Sequence, residues 1–113
     1  MHDPCHLIRH TSRQITEYAI GIAGLVPGVD VRVSDAYDNC CGGGGLVVRH
    51  APDVARKVVQ ENMKAIENTG AAMLVTPCPL CTAQIEDNLF RKGSHVEVFD
   101  LAVFIAQHLP LKE

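Results

Sequence analysis

The stretch GAAMLVTPCPLC, residues 70–81, decides how the rest of this chain is read. Residues 71–76 form a short, nearly continuous apolar run behind a glycine, the pattern of a strand covered on both faces. Cys78 follows almost at once, and Cys81 opens a helical pattern in which Ile85 and Leu89 stand four apart. A strand therefore delivers two thiols to the start of a helix, where the dipole and the free N–H groups favour thiolate. Pro79 fits that first turn, because no helical N–H bond is needed there.

Working outward, the same alternation repeats. Residues 29–34 (VDVRVS) and 95–99 (HVEVF) alternate apolar and polar with β-branched side chains, as strands do. Thr11 with Gln14 reads as a capping box for a helix whose apolar face carries Ile15, Ala19, Ile22 and Val26. Pro52 and Asp53 suit the start of another, with Val54, Val58, Met63 and Ile66 on one stripe and Gly70 as its stop. Asp100 caps a last helix bearing Leu101, Phe104, Ile105 and Leu109, ended by Pro110. Strands that alternate with helices predict an α/β fold with a mainly parallel sheet of three to four strands flanked by helices.

Composition narrows the function. The 113 residues are expected to form a single domain over 1–113, with a core that needs no disulfide staples. A net charge of −3 and only five Tyr and Phe residues, with no Trp, argue against nucleic acid as a partner, which wants basic surface and stacking platforms. The longest apolar stretch, residues 18–29, is short and broken by Gly21, Gly24, Pro27 and Gly28, so no transmembrane segment is expected. The first residues, Met1-His2-Asp3-Pro4, lack a secretory pattern, and the expected location is the cytoplasm, where thiols stay reduced.

Five cysteines then need a reason. Cys5, the pair Cys40-Cys41 and the CxxC of Cys78 and Cys81 make an odd number, which fits a disulfide framework poorly and leaves metal binding or redox chemistry. Five inert, buried thiols are the bland alternative, but a CxxC together with a CC and four glycines speaks against it. Each group is placed at the carboxyl end of a strand, with the strand before Cys5 reduced to residues 1–4. One edge of the sheet thus collects all five thiols, and that edge is where open α/β sheets bind ligands. A metal centre ligated by Cys5, Cys40, Cys41, Cys78 and Cys81 is the expectation.

The run from Gly42 to Gly45 lacks the Lys-Ser or Lys-Thr of a phosphate loop. Its mechanical use is clearer: Gly42 and Gly43 let the backbone turn sharply beside a bulky centre and bring N–H donors to sulfur. His2 and His6 flank Cys5 and are candidates to support the ligands by donating to a sulfur. His10, His50, His95 and His108 are scattered, and surface or capping positions explain them; Asp3 reads as a turn residue. Structural zinc wants four ligands and ordinary cubane clusters take four cysteines in compact runs, so a 1 + 2 + 2 set matches neither well.

HDPCHLIR, NCCGGGG and TPCPLCTAQIE together resemble the cysteine-rich CCG domain found in the B-type subunit of heterodisulfide reductase, with relatives in the iron–sulfur subunits of glycolate and lactate oxidation complexes. The resemblance covers nearly the whole chain. It implies a Rossmann-like sheet and a non-cubane [4Fe–4S] cluster held by Cys5, Cys40, Cys41, Cys78 and Cys81. The implied chemistry is electron transfer and reductive cleavage of a disulfide between small thiols, within an oxidoreductase complex that supplies other subunits. Such domains usually occur as tandem pairs, so this chain is expected to be a fragment of a longer polypeptide or one half of such a pair, with a second CCG domain as a partner. Some relatives carry a zinc site at a CCG motif instead, which keeps a structural or docking role open. A thiol–disulfide enzyme built on Cys78 and Cys81 alone leaves Cys40-Cys41 unexplained.

Overall fold

The computed structural model describes residues 1–2, 14–33, 40–43 and 46–110. Its elements are α1 (Gln14–Ala23), α2 (Val47–His50), α3 (Pro52–Asn68), β1 (Met73–Thr76), α4 (Pro79–Lys92), β2 (Glu97–Asp100) and α5 (Leu101–His108). β1 and β2 pair in parallel, with Met73 opposite Glu97 and Thr76 opposite Asp100. The fold is therefore mixed α/β around a parallel sheet, which among the described residues has two strands.

The expected third strand is where the structure differs. Residues 29–33 are described and carry no strand ladder. The Met1 amino nitrogen donates to Arg32 O at 2.9 Å, and the His2 N–H donates to Val75 O at 2.9 Å. Residues 1–2 thus lie between residues 29–33 and β1 and reach both. An alternating pattern names a strand; only a neighbour at hydrogen-bonding distance makes one.

Two apolar layers cover the sheet, one per face, because Leu74 and Val75 point to opposite sides. Leu74 joins Val59, Met63 and Ile66 of α3 and Cys81, Ile85 and Leu89 of α4. Val75 joins Ala23, Val26 and Phe104, with Phe99, Leu101 and Ile105 packed on them.

Local signals account for the helix ends. Asp100 Oδ1 accepts from Ala102 N at 2.9 Å, as its capping position predicts. Gly93 ends α4 at φ 78, and Gly70 turns the chain after α3 at φ 71, a backbone region glycine enters without penalty. His108 lies against the end of α5, with Nδ1 2.9 Å from Phe104 O and its ring stacked on Phe104 at 4.6 Å.

Two helix faces match the expected stripes in part. On α1 the buried side is Thr16, Ala19 and Ala23, continued by Val26, while Ile22 is exposed. On α3 the buried stripe is Ala55, Val59, Asn62, Met63 and Ile66, and Val54 faces outward. Ala19 and Val26 on the first and Met63 and Ile66 on the second are buried as expected, and the departures are confined to the other positions of each stripe.

Candidate metal centre

Cys78 is the N-cap of α4, in extended conformation, and its Sγ accepts from the Cys81 N–H at 3.5 Å. Pro79 takes the first helical position, and Cys81 then points inward from the first turn. Strand, cap and helix start therefore set the two thiols of the CxxC on one side of the helix entrance.

The other pair arrives from a distant loop. Cys41 is 4% exposed and Cys81 5%, and their sulfurs lie 3.2 Å apart. Cys40 is half-buried, and its Sγ accepts from the Gly42 N–H at 3.3 Å. Gly42 holds φ 79, and a Cβ there would stand 2.9 Å from Ala55 O. A Cβ on Gly43 would stand 3.1 Å from Gln84 Cβ and 3.4 Å from Cys41 Sγ. The CC loop is thus pressed between α3 and α4, close enough that only glycine fits at position 42. Replacing Gly42 by Ala is expected to lower stability by about 2–4 kcal/mol through left-handed strain and the clash with Ala55, measured by urea unfolding.

One residue that the sequence pattern did not single out holds this loop. Asn62 on α3 is 2% exposed, and its Nδ2 donates to Cys40 O at 2.6 Å. The only signal in the sequence is a polar side chain directly before Met63, a position of the expected stripe. Leu46, just past the glycine run, adopts left-handed φ 63, an unusual conformation for a branched apolar residue.

Cys5 and His6 lie outside the described residues, as do Gly44 and Gly45. His2 is fully buried, and its backbone bond to Val75 sets it beside the carboxyl half of β1, two residues before the Pro77-Cys78 turn.

Electrostatics follow from the sulfur contact. The Cys41 pKa falls from its ordinary 9.0 to about 6, first because Cys81 hydrogen-bonds to it, with Gly43 N–H adding to this and burial opposing it. Cys81 moves strongly the other way, first through that same bond to Cys41, then through burial and the negative charge of Cys41 and Cys78. The pair shares one proton: Cys41 is the thiolate and Cys81 keeps the hydrogen. In the metal-free chain, thiolate absorption is expected to rise through a midpoint near 6 and to shift upward in Cys81→Ala. The sign for stability is fixed by both shifts. Cys41, depressed, contributes stability that is full above 9.0 and is lost as pH falls through about 6. Cys81, raised, contributes stability that is full below 9.0 and falls away as pH climbs further. Metal-free stability should therefore climb from about pH 6 to 9 and decline beyond it, which denaturant midpoints across that range check.

Among the described residues, no three His, Cys, Asp or Glu side chains are arranged to hold one ion as they stand. The donor set nonetheless suits a thiophilic metal. Cys41 and Cys81 touch, Cys78 is close enough to perturb Cys81, and soft thiolates select zinc or iron–sulfur clusters over hard cations. Two sulfurs bound to one zinc stand about 3.8 Å apart, so the contact need open by only about half an ångström to admit a metal.

Comparison with known proteins adds the family. The cysteine-rich domain family, CCG, matches residues 1–86. The D-type subunit of dihydromethanophenazine:CoB–CoM heterodisulfide reductase from Methanosarcina acetivorans is 34% identical over 97% of this chain and 27% of its own length. An uncharacterized iron-sulfur protein of Methanococcus maripaludis is 34% identical over 78% of this chain and 17% of its own. Lactate utilization protein A 2 of Bacillus cereus is 29% identical over 96% and 44% respectively. The chain thus spans less than half the length of each of these relatives. No solved structure gives a significant match. A family match over residues 1–86, a stretch that includes the CC and CxxC whose sulfurs meet here, means that this chain belongs to the cysteine-rich CCG domain family.

Proposed function

We propose that the chain is an iron–sulfur redox domain of a heterodisulfide reductase-like complex, with a non-cubane [4Fe–4S] cluster ligated by Cys5, Cys40, Cys41, Cys78 and Cys81. The observation that carries this reading is the 3.2 Å contact between Cys41 and Cys81, forty residues apart and buried together with Cys78 alongside. When bound, such a cluster supplies one-electron exchange and an iron able to accept sulfur from a small thiol or disulfide.

The chain's own residues prepare that site. The α4 N-terminus and the lowered pKa of Cys41 favour thiolate, the ligating form, without an added base. Gly42 and Gly43 keep side chains away from the sulfurs, and Asn62 holds the loop in place. His2 and His6 are assigned to support the ligands from behind. Among the described residues no helix is long and apolar enough to cross a membrane, and we place the domain in the cytoplasm as one CCG unit beside other subunits of its complex, a second CCG domain among them. The enzymatic activity belongs to that assembly.

A second reading has its own support. Cys40-Cys41 and the Cys78–Cys81 pair offer two-by-two thiols, the arrangement of a structural zinc site, and would give a domain for assembly or docking. Anaerobic purification followed by iron, zinc and sulfide analysis separates the two. Iron and sulfide near four per chain, with brown colour, support the cluster; one zinc with no iron overturns it.

A further inference from the structure

The last residue of β1 buries a hydroxyl that has nothing to bond to. Thr76 is 0% exposed, and its Oγ1 has no hydrogen-bond partner among the described residues. Thr69 and Thr82 are placed otherwise: the first donates to Ile66 O at 2.6 Å and the second to Cys78 O at 3.0 Å. A buried hydroxyl without a partner forfeits the bonds it made to water, so packing alone would favour valine, which has nearly the same shape. Residues 73–75 are Met-Leu-Val, and the strand turns polar only at its most buried place. Thr16 Oγ1 on α1 also lacks a partner, but α1 packs on the Val75 face, away from Cys41 and Cys81.

Strand geometry fixes the direction of Thr76. Leu74 packs with Cys41, Cys81 and Ile85, while Val75 packs with Ala23 and Phe104. Alternation then turns Thr76 toward the layer of Leu74, one step of roughly 7 Å nearer the carboxyl end of the strand. That end is where α4 begins, with Cys78 as its cap and Cys81 in its first turn. The CC loop arrives there as well, since Gly42 lies against Ala55 in the first turn of α3 and Gly43 against Gln84 of α4. The hydroxyl thus faces the layer that holds the sulfurs, at the end where both cysteine pairs come in.

Loading with metal changes the acceptors on offer. In the metal-free chain Cys78 Sγ takes the Cys81 N–H, and Cys41 and Cys81 hydrogen-bond to each other. Ligation requires thiolates, and deprotonated sulfur is an acceptor with no proton of its own to place. We propose that Thr76 donates its hydroxyl proton to a sulfur of the bound centre and thereby raises the reduction potential of that centre. The inference rests on the iron–sulfur reading above. Reduction adds negative charge that the sulfurs share, so a donor binds the reduced state more tightly than the oxidised one. Thr76 is not a ligand; it positions a sulfur and sets the potential.

The test compares the full chain with Thr76→Val, Thr76→Ser and Thr76→Ala, all purified anaerobically, with the potential read by EPR at a series of poised potentials. Thr76→Val should hold as much iron and sulfide as the unaltered chain. Its ratio of reduced to oxidised centre at a given potential should fall about tenfold, a downward shift of about 59 mV for a one-electron couple. Thr76→Ser keeps the hydroxyl and should keep the potential, whereas Thr76→Ala should share the shift of valine. In the metal-free chain Thr76→Val should unfold at a urea concentration no lower than the unaltered chain, because it removes an unpartnered polar group. Equal iron and sulfide with an unchanged potential in Thr76→Val overturns the inference and leaves the cluster reading standing. A serine variant shifted as far as alanine overturns it too, since the methyl group would then be responsible. Where Thr76→Val takes up less iron, the serine and alanine pair, which differ by the hydroxyl alone, decides by the same criterion. Lower metal-free stability of Thr76→Val shows that the hydroxyl already has a partner and overturns the inference. An unaltered chain that binds no iron removes the cluster reading and this inference with it.

Discussion

Cys41→Ser is expected to leave a folded chain that loses more than half of its bound iron and sulfide after anaerobic purification. The reasoning is local. Cys41 is the thiolate of the buried pair and the only described thiol in direct sulfur contact with the CxxC, so its removal breaks the link between the CC loop and α4. Serine is nearly the same size, so packing changes little, but its hydroxyl is a poor ligand for a thiophilic metal. In the metal-free variant Cys81 should also drop back toward an ordinary thiol, because the hydrogen bond and charge that raise it come first from Cys41. Both readouts distinguish a multi-thiolate centre from a redox enzyme working through Cys78 and Cys81 alone. That enzyme would tolerate Cys41→Ser, and unchanged thiol exchange with no metal in either protein would sink the metal-centre reading.

Ile85→Ala is expected to cost about 2–5 kcal/mol of folding stability, seen as a fall in the urea midpoint at unchanged slope. Ile85 is 0% exposed and belongs to the same cluster as Val59, Met63, Leu74, Cys41 and Cys81. Truncation opens a cavity within the apolar cluster that also holds Cys41 and Cys81. A small domain has only about 5–15 kcal/mol of stability in all. The variant should therefore lie close to unfolding without metal and recover when metal is supplied, since a ligand that binds only the folded state stabilises it by mass action. A loss much below 2 kcal/mol would mean that α4 is less firmly seated than its burial indicates.

What reached the sequence level was what depends on neighbours in the chain. The CxxC at a helix entrance, Pro79 in its first turn, the Asp100 cap and the glycine stop at Gly70 all act over a few residues. Composition and spacing therefore sufficed to read them, and the order of strands and helices followed. The joint motif of Cys5, Cys40-Cys41 and Cys78–Cys81 pointed to the family for the same reason: ligand spacing is written along the chain.

The tertiary structure decided the rest. Which thiols touch depends on how a loop from position 40 packs against a helix at position 81, and no local pattern encodes a contact across forty residues. Asn62 has the look of an ordinary polar helix residue until the packing of α3 against the CC loop brings it to Cys40. Residues 29–33 have the alternation of a strand, yet strand formation is a property of pairs. Among the described residues they carry no ladder, although Arg32 O accepts from the Met1 amino nitrogen. Sequence by itself determined the class of fold, the family and the chemistry of the donors, because those are written in residue type and spacing. Only the packing of α3, α4 and the sheet decided which donors meet, because that depends on distances between segments far apart along the chain.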